Sequence, residues 1–180
     1  MQEISLHILD LAQNSLEAGA TLVAITLAES TARRTLDIRI ADNGRGMDKE
    51  TAARAADPFF TTRKTRPTGM GIPLFKMAAE LSGGWFSLRS APGKGTELSA
   101  QCHTGSLDLA PLGDMSATML ALISANPGRD FLYRRSIDCR EYTLDTRELK
   151  NALGEVPIHT PAVLDFIRKD LEEGQLAVDS

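Results

Sequence analysis

A chain of 180 residues can bury one substantial core, or one core with a smaller appendage. Its 42% hydrophobic and 24% charged residues are ordinary for a globular protein, and a formal net charge of -4 argues against a broad nucleic-acid-binding surface. No apolar run approaches the roughly 20 residues that span a bilayer, and the start MQEISLHILD lacks the features of a secretory signal, so the expected location is the cytoplasm, without direct membrane or nucleic-acid contact.

Residues 2–18 have the period of an amphipathic helix. Ile4, Ile8, Leu9, Leu11, Ala12 and Leu16 cover one broad arc, while His7, Asp10, Asn14 and Glu17 form a narrow polar stripe beside it. Gly19 ends this helix. Residues 21–28 and 35–41 alternate as half-buried strands joined by a turn at 29–34. The glycine-rich stretch 42–47 is a loop, and Asp48 has the chemistry of an N-cap for a short Ala-rich helix. Residues 57–68 hold two prolines and three basic residues without a sustained period, which predicts an excursion from the packed elements.

After Gly69-Met70-Gly71 a helix is predicted over 72–81, with Pro73 in its first turn. Strands 85–90 and 96–103 flank a turn at 91–95. Cys102 and Cys139 have no metal-binding spacing, and His103 does not complete a set, so both are expected as reduced thiols. Beyond Gly105 the pattern predicts a helix at 114–125, a hairpin at 131–144, and helices at 145–153 and 161–173. Inspection leaves open whether this tail is separate or extends the first sheet.

Five motifs occur in one order: ILDLAQNSLEAGA, ADNGRGM, DPFFTTRK, GMGIPLFKMAAELSGG and GKGTEL. Each alone is of moderate specificity at most, and a lone DNG or GxG is common. In this order, on a helix, a loop, an excursion, a helix start and a strand pair, they resemble the GHKL ATPase superfamily, also called the Bergerat fold. The resemblance covers roughly residues 1–103. It implies an α+β fold: a two-layer α/β sandwich whose mixed, mainly antiparallel sheet is covered by helices on one face. The expected division is an ATP-binding domain at 1–104 and a C-terminal α/β extension at 105–180.

The same resemblance implies ATP and Mg²⁺ as ligands. An amide oxygen can complete a magnesium shell made largely of phosphates and waters, and the family's metal-binding Asn corresponds to Asn14. Asp10, one turn earlier, matches a general base that is mostly Glu in relatives that hydrolyse ATP. His7 shares the stripe and is expected as a partly exposed helix residue. Asp42 is placed to accept from the adenine amine, which a guanine carbonyl cannot replace. Gly44 and Gly46 would let the backbone approach the base, and Met47 would lie against it. Gly69, Met70, Gly71 and Ile72, where relatives usually read GLGL, would present amides to the phosphates. Thr62, Arg63 and Lys64 belong to the expected lid, with Phe59 and Phe60 as its anchors and Arg66 as a further cation. Thr96 would support Asp42 through its hydroxyl, in relatives often by way of a water.

DPFFTTR followed at once by GMGIPLFKMAAELSGG is most similar to a histidine-kinase catalytic domain, although no acceptor-histidine hairpin precedes the first helix. Phosphoryl transfer to a separate protein partner is therefore expected. Two alternatives stand beside it. One is an ATP-hydrolysing switch of the MutL and gyrase kind, since the first two motifs look closer to those proteins. The other is a nucleotide-sensing module with little turnover. A homodimer is one expected assembly.

Overall fold

The computed structural model describes residues 2–59 and 70–180. Helix α1 (Ile4–Glu17) turns Ile4, Ile8, Leu11, Ala12 and Ser15 inward, following the arc read from its sequence. The first amides of a helix have no preceding turn to accept from them. Those of Ile4 and Ser5 donate instead to the carbonyls of Pro111 and Leu112, at 3.0 and 2.8 Å.

Strands β1 (Leu22–Ser30) and β2 (Thr35–Asp42) pair antiparallel. Their alternation places Val23, Ile25 and Leu27 beside Leu36, Ile38 and Ile40 on one buried face. β1 runs two residues beyond its expected end because Ser30 still pairs with Thr35. The turn that follows is held by Asp138, which accepts from the Thr31 N–H and hydroxyl at 3.0 and 2.6 Å. Asp48 caps α2 (Lys49–Ala55) by accepting from the Thr51 N–H at 2.7 Å. Helix α3 (Gly71–Leu81) leads to the antiparallel pair β3 (Trp85–Ser90) and β4 (Thr96–His103).

The rest of the described chain is α4 (Met115–Ala125), β5 (Asp130–Ile137), β6 (Arg140–Asp145), α5 (Thr146–Leu153) and α6 (Pro161–Asp179). All six strands of the described residues lie in one sheet in the order β3-β4-β2-β1-β5-β6. Only the β1–β5 pair is parallel, running from Leu22 opposite Asp130 to Glu29 opposite Ile137. Helices α1, α3, α4 and α6 pack as a layer over the face that carries Ile25, Ile38, Leu98 and Tyr133. This is the expected α+β sandwich with a mainly antiparallel mixed sheet, and its tail strands extend that sheet.

Helix α6 continues past its expected end at 173, straight through Gly174. The Tyr142 ring lies where a side chain would stand, since a Cβ on Gly174 would come within 2.1 Å of it. The Tyr142 hydroxyl donates to Asp170 one turn earlier on α6, at 2.7 Å. Glycine here is a packing requirement, so it does not stop the helix. Cys102 is buried and Cys139 exposed, and both are free. No helix of the described residues is long and apolar enough to cross a membrane.

Candidate functional site

β2 ends at Asp42, and its alternation carries this carboxylate to the helix-covered side of the sheet. Three elements hold it. Oδ2 accepts from the Ser15 hydroxyl of α1 at 2.6 Å, while Oδ1 accepts from the N–H groups of Gly44 at 2.9 Å and Thr96 at 3.2 Å. Ser15 was not singled out in the sequence. The available signal is a hydroxyl on the buried arc of an aliphatic helix, which needs a partner there.

The loop after Asp42 is stitched on both sides. Asn43 Oδ1 accepts from the Thr21 and Leu22 N–H groups at 2.8 and 3.0 Å, and its amide donates to the Thr21 hydroxyl. The Arg45 N–H donates to Ala18 O at 2.9 Å, and its carbonyl accepts from the Gly93 N–H at 2.7 Å. Gly44 is buried beside Ala18. Gly46 has φ +67°, and a Cβ there would lie 1.9 Å from Ala91 O, so conformation and space both require glycine.

The half-buried Met47 donates its N–H to Ser90 Oγ at 2.8 Å. Ser90 Oγ also stands 2.9 Å from the Thr96 hydroxyl and 3.0 Å from Gly95 O. Thr96 therefore reaches Asp42 through its backbone, and its hydroxyl is turned to Ser90. Asp42, Ser90, Gly95 and Thr96 border a hollow of about 320 Å³ that extends to Arg89 and Lys94.

A second group forms where α3 begins. Buried Gly71 lies against the polar stripe of α1; a Cβ on it would sit 3.5 Å from Asp10 Cβ and 3.7 Å from Asn14 Nδ2. Met70 occupies the N-cap position without a side-chain cap, so the first α3 amides receive no acceptor from that residue. Asp10 is exposed, while Asn14 and Ile72 are half-buried.

His7, expected to be partly exposed, is buried: α3 packs onto that part of the stripe, and the imidazole stands 6.4 Å from the Phe75 ring. Nδ1 has no partner among the described residues. Burial lowers the His7 pKa, against an opposing pull from Asp10. Phe59 is 96% exposed, so its ring does not anchor a lid against the described residues. Thr62, Arg63, Lys64 and Gly69, with Phe60 and Arg66, lie outside the described residues.

Comparison with known proteins agrees with this layout. Residues 2–105, more than half the chain, match the family described as histidine kinase-, DNA gyrase B-, and HSP90-like ATPase. The sensor protein kinase FleS of Pseudomonas aeruginosa is 37% identical over 110 residues, covering 61% of this chain and 26% of that protein. The sensor protein DivL of Caulobacter vibrioides is 32% identical over 93 residues, 52% of this chain and 12% of its own length. The chain thus spans about a quarter or less of these curated relatives. A crystal structure of the N terminal domain of a DNA repair protein shares the fold, with a TM-score of 0.50 at 12% identity over 81% of this chain and 52% of that one. The chain belongs to the histidine kinase-, DNA gyrase B-, and HSP90-like ATPase family and carries an ATP-binding domain of the histidine-kinase type.

Proposed function

We propose that the chain binds Mg-ATP, with adenine at Asp42 and phosphates at the start of α3, and passes the terminal phosphoryl group to a separate protein. One observation carries the reading. α1 holds Ser15 against the Asp42 carboxylate and, on the neighbouring polar stripe, Asn14 and Asp10 against Gly71. A single helix therefore spans the place for the base and the place for the phosphates. Gly44, Gly46, Met47 and Thr96 complete the base pocket in this reading. Gly69, Met70, Gly71 and Ile72 present amides to the phosphates, with Thr62, Arg63 and Lys64 as the lid.

The residues suit magnesium. Among the described residues no group of three His, Cys, Asp or Glu converges to hold an ion alone. A half-buried amide at Asn14 suits a hard cation whose remaining ligands are phosphate oxygens and water. When bound, the ion supplies neutralisation of phosphate charge. Asn14 would orient it, and the α3 amides would hold the phosphate oxygens. A nucleophile on the acceptor protein forms the new bond to the γ-phosphorus as the bond to the bridging oxygen breaks. ADP departs with that electron pair, and Asp10 is placed to take the acceptor's proton. The free thiols and the lack of a membrane-crossing helix among the described residues are compatible with the cytoplasm.

Incubation with γ-labelled ATP and candidate acceptor proteins tests the reading. Label on protein supports transfer, acid-labile for histidine and acid-stable for serine or threonine. Phosphate release without protein label would identify a hydrolytic switch, and binding without either a nucleotide-sensing module. Asn14→Ala should remove the magnesium dependence of ATP affinity while leaving the circular dichroism spectrum unchanged. Equal magnesium dependence in both proteins would refute the metal assignment.

A further inference from the structure

The two ends of the sheet are β3 and β6. Edge strands in soluble proteins are normally protected by charge, proline, a bulge or a covering element, because their free backbone groups accept another strand. β3 has one charge, no proline and an unbroken register with β4 across all six residues. Its helix-side residues, Phe86 and Leu88, are only partly buried against the core. On the open side Trp85 is 47% exposed. Arg89, two pleats further on the same side, is exposed and has no ion-pair or hydrogen-bond partner among the described residues. Two helices, α2 and α3, contact this strand, and α3 leaves Met77 and Leu81 about half exposed.

Those residues select their own copy. When two identical strands pair antiparallel about a two-fold axis through the sheet, opposed side chains must share a face. The axis must therefore pass through a residue; Ser87 and Leu88 each pair five of the six β3 residues, and of the two only Ser87 brings Trp85 into the pairing. Trp85 then faces Arg89 of the second copy, a cation over an indole, and does so twice by symmetry. Phe86 faces Leu88 of the second copy on the helix side, again twice. No like charges are opposed. A strand from an unrelated protein would need to offer this same sequence of cation, apolar, small, apolar and aromatic.

We infer that β3 is an isologous association surface, through which two copies of this chain join their sheets antiparallel about Ser87. The inference is independent of phosphoryl transfer. Asp42 and the start of α3 lie on other elements, and the hollow beside Asp42 meets β3 only at its last two residues, Arg89 and Ser90.

Sedimentation of the whole chain across a concentration series tests it. The mass should rise toward twice that of the single chain. Trp85→Lys places a cation opposite Arg89 of the second copy and should weaken association about tenfold or more. Trp85→Glu removes the same ring but supplies an anion there, so it should associate at least as well as the wild type. Unchanged ATP titrations would show that both variants are folded. A single-chain mass up to millimolar concentration would overturn the inference. So would equal weakening by the two variants, or a dimer that neither variant affects.

Discussion

Ser15 ties the nucleotide carboxylate to the helix that also carries Asp10 and Asn14. A hydrogen bond to a charged group contributes about 1.5–3 kcal/mol, and about 1.4 kcal/mol is a tenfold change in affinity. Ser15→Ala should therefore weaken ATP binding about tenfold and erode its preference over GTP, and should lower the melting temperature somewhat, since the better helix propensity of alanine returns less than about 0.7 kcal/mol. Parallel ATP and GTP titrations check this, and unchanged affinities would exclude Ser15 from the site.

His7 gives a pH signature at the same scale. Its folded pKa lies below 6.5 because burial disfavours the imidazolium, so the unfolded chain binds the proton more readily. Stability is thus retained above about pH 6.5 and falls as pH drops through the folded-state value. His7→Leu should flatten that part of the curve, which melting curves between neutral and mildly acid pH will show as a shrinking difference from the wild type.

At the scale of elements, Gly174 offers a reversal of sign. Gly→Ala inside a helix ordinarily stabilises by about 1 kcal/mol. Here the new Cβ would meet the Tyr142 ring at 2.1 Å, and forcing α6 off β6 costs about 1–3 kcal/mol. Gly174→Ala should destabilise the protein, and in a Tyr142→Ala background it should stabilise it. A double-mutant cycle by denaturant unfolding separates the two. A stabilising effect in the wild-type background would show that α6 does not depend on this contact.

The same glycine shows where the sequence misleads. The alternation of β1, β2 and β4 and the arc of α1 are local, periodic and readable. Gly174 reads as a helix end because the ring beneath it comes from a different element. Asp42, Asn14 and Gly71 have recognisable roles in their motifs, whereas Ser15 stands in the first motif without an evident role and becomes visible only once β2 lies against α1. The parallel β1–β5 pair is equally hidden, because the register between strands so far apart in sequence leaves no local trace.

That hidden pair decides what the whole molecule is. The family match ends at residue 105, yet the residues beyond it close the sheet and the helical layer of the nucleotide domain. β5 occupies the second edge of β1, and Met115, Met119, Phe131 and Ile167 belong to the same core as Ile8, Val23 and Leu27. Arg135, with a side chain only 4% exposed, pairs with Glu29 of β1 at 2.9 Å and Asp179 of α6 at 3.6 Å. Pro111 and Leu112 supply the acceptors for the first α1 amides, at the far end of the helix from Asn14.

Cutting the chain after Gly105 would turn the buried β1 into an apolar edge strand and expose one side of α1. The expected result is a fragment without a cooperative thermal transition that aggregates and binds ATP at least tenfold more weakly. Calorimetry and an ATP titration on the truncated chain read both properties. A sharp transition with wild-type affinity would mean that residues 2–105 fold alone and the tail is a separate attachment. Loss of both would make the tail part of the nucleotide site's scaffold, so that a partner pulling on α4 acts on α1 directly and one pulling on α6 acts through α4.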